Sequence, residues 1–256
     1  MLEVEHLAFS YGKEAVLSGV SFTARPGEVT VLVGANGAGK TTLLKCLAEG
    51  KPPAGGICFE GRDIREISRE EYSRAVSFLE QSTVCEAALN VFEVILLGRL
   101  NRLSYRVSGE DLAQVEKVME LLEISRFSGR NIAELSGGQR QLVFIAQALV
   151  KEPRLLLLDE PTRALDLHHQ FKLMDFLRKM TKDRGYTTVI TLHHLDIAAK
   201  YADHMVALNA GGVYREGRPE EVFSEALLRE VYQVEAEIHF DAEKKKHVIP
   251  VGFIGE

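Results

Sequence analysis

The residues best suited to chemistry are Gly34-Ala35-Asn36-Gly37-Ala38-Gly39-Lys40-Thr41, which directly follow the apolar run Thr30–Val33 and precede a segment of helical period. This is the GxxxxGK[ST] pattern in its required strand–loop–helix frame. Glycines let successive backbone N–H groups turn inward around phosphate oxygens with no Cβ in the way. The helix starting at Thr41 directs its positive dipole end at the same anion. Lys40 is then placed to bridge the β- and γ-phosphates of a nucleoside triphosphate, and the hydroxyl of Thr41 to ligate Mg²⁺.

A phosphate cradle needs a metal partner and a group that activates water. Asp159 and Glu160, at the end of the run Leu155–Leu158, supply both. An Asp leaving a buried strand binds Mg²⁺ through water, and the adjacent carboxylate projects toward the γ-phosphate as general base.

Apolar runs predict the elements that must position these groups. Strands are expected near Leu2–Phe9, Val29–Val33, Val76–Leu79, Leu155–Leu158, Thr188–Thr191 and His204–Asn209. Helices are expected over Thr41–Ala48, Asp111–Leu122, Gln139–Val150, Gln170–Lys182 and Leu195–Tyr201. Unbroken runs such as Leu155–Leu158 read as strands buried on both faces, as in parallel sheets, and strands alternating with helices predict an α/β fold. Residues 90–150 read as helical throughout, which predicts a helical subdomain inserted into a core formed by 1–89 and 151–235, with a tail at 236–256. The charged cluster near Asp241 reads as a solvated turn.

The 256 residues allow one large domain with an insertion. A net charge of −6 argues against a nucleic-acid partner held by broad phosphate neutralisation. Cys46, Cys58 and Cys85 are far apart and odd in number, and are expected as reduced thiols of a cytosolic protein. No segment nears the roughly 18 uninterrupted apolar residues of a membrane span, and the N-terminus lacks the charge and apolar pattern of a signal peptide. Any membrane role is expected to pass through a partner protein.

Leu135-Ser136-Gly137-Gly138-Gln139, just before a helical stretch and upstream of the acidic strand, narrows the reading. Ser136, two glycines and a helix N-terminus form a second anion cradle, and one nucleotide does not need two. LSGGQ at this place resembles the signature of the ATP-binding-cassette family. The resemblance implies a P-loop ATPase core with a mostly parallel sheet, an N-terminal antiparallel β part and an inserted helical subdomain. It also implies a head-to-tail homodimer in which Ser136, Gly137, Gly138 and Gln139 of one copy close on ATP bound by the other.

Further positions match the family in order. Tyr11 resembles the aromatic residue that stacks on adenine. The nucleotide-binding set becomes Tyr11, Gly34, Asn36, Gly37, Ala38, Gly39, Lys40, Thr41 and Thr42. Gln81 resembles the glutamine that reaches metal and attacking water, which gives a metal set of Thr41, Gln81 and Asp159. Asp166, after Ala164-Leu165, resembles the loop that crosses the dimer interface. His193 resembles the histidine that holds the γ-phosphate, and joins Glu160, Gln81 and Lys40 in the catalytic set. Two positions depart from the family pattern: Arg163 stands where a small residue is common, and His194 replaces a common Asp.

A lone cassette resembles the separate ATPase subunit of a prokaryotic importer, bound to the cytoplasmic face of the membrane through a polytopic permease dimer and served indirectly by an extracytoplasmic binding protein. The segment Val91–Arg99 is similar to importers of iron–siderophore complexes, haem and cobalamin, and it is where family members receive the permease. A molybdate or tungstate importer, or an ATPase acting on soluble partners, are the alternatives.

Overall fold

The structure is a computed structural model that describes residues 1–50, 54–81, 88–100, 107–240 and 246–254. Its centre is a six-stranded sheet of β3 (Val29–Gly34), β6 (Val76–Leu79), β7 (Leu155–Asp159), β8 (Thr187–Thr191), β9 (His204–Asn209) and β10 (Gly212–Gly217). The strand order is β10-β9-β3-β8-β7-β6, parallel apart from the antiparallel pair β9–β10. Every residue of β3, β7 and β8 is buried, which is why these strands are written as continuous apolar runs rather than alternations.

Alternate residues of the sheet feed two cores, as the two-residue period of a strand dictates. Val31, Val33, Leu156, Leu158 and Ile190 pack into one core with the helices α5 (Gly137–Leu149), α6 (Leu167–Arg184) and α7 (Leu195–Tyr201). Leu32, Leu155, Leu157 and Val189 pack into the other with the helix α1 (Lys40–Glu49) and a second sheet. That second sheet is antiparallel, in the order β2-β1-β4-β5, from β1 (Leu2–Tyr11), β2 (Glu14–Ala24), β4 (Ala54–Phe59) and β5 (Arg62–Asp63). The short helix α2 (Arg69–Ala75) leads into β6, its N-terminus capped by Ser68.

Between β6 and β7 the described residues hold α3 (Val91–Leu97), α4 (Gly109–Leu121), α5 and two single-turn helices, with one isolated bridge between Asn90 and Asn131. Asn90, Ser108 and Ser136 each open a helix with a reciprocal capping box, satisfying N–H groups that the helix leaves orphaned. Arg99 is buried here. Its Nε donates to Asp111 Oδ1 at 2.5 Å and its Nη1 to the Val150 carbonyl at 3.1 Å, tying α3 to α4 and α5. Gly98 must be glycine, because a Cβ there would lie 2.2 Å from the Gln147 carbonyl oxygen. Much of the Val91–Arg99 segment therefore packs this region internally.

After β10 come α8 (Pro219–Val222), α9 (Glu225–Tyr232) and a hairpin of β11 (Val234–Phe240) with β12 (Lys246–Phe253). The charged cluster beginning at Asp241 lies outside the described residues up to 245, as does Cys85; Cys46 and Cys58 are free thiols.

Candidate nucleotide site

The carboxyl ends of β3, β7 and β8 lie side by side, Leu32 opposite Thr191 and Thr191 opposite Asp159. Open parallel sheets bind ligands at this edge. From β3 the chain enters the cradle through Gly34, whose φ of +148° and whose Cα packed against Leu208 leave no room for a side chain: a Cβ would sit 2.4 Å from the Leu208 carbonyl oxygen. Gly39, at φ +97°, turns the chain into α1 and makes no side-chain cap, and no acid lies in the first helical turn. The N–H groups that open this ten-residue helix thus meet no capping side chain and no acid from the helix's own first turn.

Lys40 is buried, and its Nζ donates back across the loop to the carbonyls of Gly34 at 2.7 Å and Ala35 at 2.9 Å. Burial lowers its pKa, while Glu160 and Asp159 act in the opposite direction.

The two acids at the end of β7 are joined through Thr191. The Thr191 hydroxyl donates to Asp159 Oδ1 at 2.6 Å and accepts from the Glu160 N–H at 2.8 Å. Asp159 is 1% exposed, and its second oxygen, Oδ2, has no hydrogen-bond partner among the described residues. Glu160 sits at φ +49°, a conformation a non-glycine residue holds only when its surroundings impose it. Its carboxylate accepts from Gln81 Nε2 at 2.6 Å through Oε2 and meets His193 Nε2 through Oε1. Arg163 Nη1 approaches Oε2 at 3.8 Å.

These groups line one open cavity of about 720 Å³, together with Asn36, Gly37, Ala38, Gly39, Thr41, Thr42 and Tyr11. Tyr11 stands at its rim, 56% exposed, edge-on to Phe9 with ring centroids 4.8 Å apart. Gly34, Asp159 and Thr191 are not among the residues that line the cavity. His194 falls outside it, at the N-terminus of α7. Sequence reasoning passed over Thr191, and over Glu14 and Val16 in the cavity wall. Thr191 left one signal, a hydroxyl at the end of an apolar strand two residues before His193.

Ser136, Gly137, Gly138 and Gln139 are not brought to this cavity. They line a second one of about 420 Å³, with Ala164, Leu165 and Asp166 on its other wall. Ser136 Oγ accepts from the Gln139 N–H at 3.3 Å, and Gln139 Oε1 from the Ser136 N–H at 3.1 Å, so the motif is set as the start of α5. Asp166 caps α6 by accepting from the His169 N–H at 2.9 Å, the contact that does most to lower its pKa. The two glycine-rich motifs of one chain therefore open onto two separate cavities.

Comparison with known proteins agrees with this arrangement. The ABC transporter family profile matches residues 17–163. The iron(3+)-hydroxamate import ATP-binding protein of Bacillus subtilis is 34% identical over 96% of this chain and 93% of its own. A metal-chelate type ABC transporter solved in an inward-facing conformation superposes with a TM-score of 0.84 at 26% identity, covering 98% of this chain and 97% of that one. A bacterial ABC transporter cassette solved as a dimer superposes with a TM-score of 0.77 at 27% identity, covering 86% of this chain and 99% of that one. By this family match, its fold and these relatives, the chain belongs to the ABC transporter family as one of its ATP-hydrolysing subunits.

Proposed function

We propose that this subunit powers the import of metal chelates of the iron–siderophore, haem or cobalamin type, as a homodimer bound to a polytopic permease at the cytoplasmic face of the membrane. The observation that carries the dimer is the separation of Ser136–Gln139 from the Lys40 cavity within one chain. A head-to-tail pair would bring each signature motif over the other copy's nucleotide. The iron(3+)-hydroxamate relative and the metal-chelate type structure support the substrate class over a molybdate importer or a soluble-partner ATPase.

In this reading Tyr11 stacks on adenine. Lys40, Thr42 and the backbone of Asn36–Thr41 hold the phosphates, and Glu160 takes a proton from the attacking water, with Gln81 and His193 responding to the γ-phosphate. The residues fit a hydrated Mg²⁺: among the described residues Asp159 Oδ2 is a buried acceptor without a partner, and Thr41 and Gln81 line the cavity. Mg²⁺ typically keeps several waters and uses few protein ligands, in line with the absence of a cluster of three acidic, His or Cys ligands among the described residues. Bound there, it would neutralise charge on the β- and γ-oxygens. Catalysis is then positioning plus charge stabilisation.

Since Val91, Val94, Ile95 and Arg99 are buried, the permease would meet the exposed side chains of the same region, Glu93, Leu97 and Leu100. No helix among the described residues is long and apolar enough to cross a membrane, so attachment would run through that contact. The test is to isolate the subunit from native membranes in mild detergent and identify what accompanies it. A polytopic permease in equal amount is expected, and its cognate binding protein should take up a metal chelate. Recovery with a soluble partner only would overturn the transport assignment.

A further inference from the structure

The first residue of the cradle is held from the far end of the chain. Tyr232, the last residue of α9, accepts the backbone N–H of Gly34 on its hydroxyl at 2.7 Å, across 198 positions of sequence. The Gly34 carbonyl accepts from Lys40 Nζ, also at 2.7 Å. Both polar groups of Gly34 are thus engaged, one by α9 and one by the lysine.

The two restraints differ in permanence. Lys40 also reaches the Ala35 carbonyl, and its three donors are shared between these loop carbonyls and any phosphate that enters. Tyr232 has no such second task. Burial pushes its phenol up to about 12, partly offset by the Gly34 N–H, so the hydroxyl stays neutral throughout the working pH range. The helix bearing it is anchored by the buried Leu227, Leu228 and Val231 and capped by Ser224. Gly34 itself has no side chain to fix it, and its neighbours forbid one.

We propose that Tyr232 is a positioning residue of the nucleotide site, fixing Gly34 so that the cradle N–H groups stay set while Lys40 shares its donors between loop carbonyls and phosphate. The proposal rests on the reading of Gly34–Thr41 as the ATP cradle. It makes the C-terminal helix part of the ATP-binding apparatus, although no atom of it need touch the nucleotide. Its effect falls on preorganisation, and so on affinity more than on the chemical step at Glu160.

The test uses the full chain with Tyr232→Phe, which keeps the ring and removes the acceptor. Tyr214→Phe is the control, because Tyr214 also bonds α9, at Glu230, away from the cradle. Mg-ATP affinity is read by displacement of a fluorescent ATP analogue, kcat at saturating ATP, and amide exchange over residues 33–40 by mass spectrometry. Tyr232→Phe should bind about five- to tenfold more weakly, the scale of one buried N–H left unmatched. Its kcat should stay within about twofold and its exchange should quicken in 33–40, while the control matches the parent. Parental affinity and exchange in Tyr232→Phe, equal losses in both variants, or a Tyr232→Phe chain too unstable to assay would each overturn the proposal. Failure of the parent itself to bind Mg-ATP would instead strike the cradle reading, with amide exchange still judging the clamp.

Discussion

Gln81 Nε2 donates to Glu160 Oε2 at 2.6 Å, so the two residues expected to meet at the γ-phosphate already meet each other. With His193 on the other carboxylate oxygen, Glu160 is held at both oxygens. In the proposed reading, nucleotide binding would exchange these contacts for contacts to phosphate and water. The groups proposed to report the γ-phosphate are thus the same groups that hold the proposed base.

Glu160→Gln tests the base. The amide is nearly isosteric and still accepts from Gln81, so the cavity and ATP binding should persist. Turnover should fall by about 10²–10⁴-fold, the range for removal of a general base. Steady-state phosphate release together with ATP binding checks both halves, and hydrolysis at the parental rate would refute the role of Glu160.

Thr191→Val tests the strut between the acids. Valine keeps the shape but leaves Asp159 Oδ1 without its donor and the Glu160 N–H without its acceptor. Each buried group left unmatched costs about 1–3 kcal/mol, so chemical denaturation should show a clear loss of stability. The Mg²⁺ concentration for half-maximal ATPase activity should also rise, because Asp159 loses its orientation. A variant with parental stability and Mg²⁺ dependence would show that the strut is dispensable.

Lys40→Ala removes the one ammonium held over the loop carbonyls. Loss of a charge-assisted contact to phosphate predicts ATP binding weaker by at least about tenfold. The protein should not lose stability in proportion, because the native state no longer has to bury a charge whose pKa burial depresses. Equilibrium ATP binding and thermal melting without nucleotide check the two predictions separately.

Legibility in the sequence followed burial and locality. Leu155–Leu158 and Val29–Val33 were readable because strands buried on both faces must be apolar throughout, and Ser136–Gln139 because the motif is contiguous in sequence. The antiparallel sheet was harder to read. In β1 the inward residues run Leu2, Val4, then Leu7, with His6 at φ +48° and a register shift against β2 between Val4 and Leu7. In β2 the inward step from Leu17 to Val20 spans Gly19 at φ +75°, so neither strand keeps its two-residue period. The roles of Thr191 and Tyr232 were unreadable for another reason. One depends on the register that sets Thr191 opposite Asp159, the other on a contact between residues 198 positions apart.

The buried pair Arg99–Asp111 gives the last prediction, and its sign is fixed by the direction of the pKa. The Ser108 hydroxyl and N–H, followed by the Arg99 guanidinium, hold the Asp111 carboxyl down to about 2, from an ordinary 3.8. A carboxyl whose folded pKa is depressed contributes stability that is fully present above the unfolded value. That contribution declines as pH falls from 3.8 and is lost once pH passes through about 2. Asp111→Asn should therefore flatten the acid limb of the stability profile below about pH 4 and lower the plateau above it. Arg99→Ala should be worse near neutrality, because it leaves a buried carboxylate without its cation and the Val150 carbonyl without a donor, a loss of about 3–5 kcal/mol. Urea unfolding at pH 7 and pH 3 measures both. Equal destabilisation of the two variants at both pH values would mean that the pair contributes packing alone.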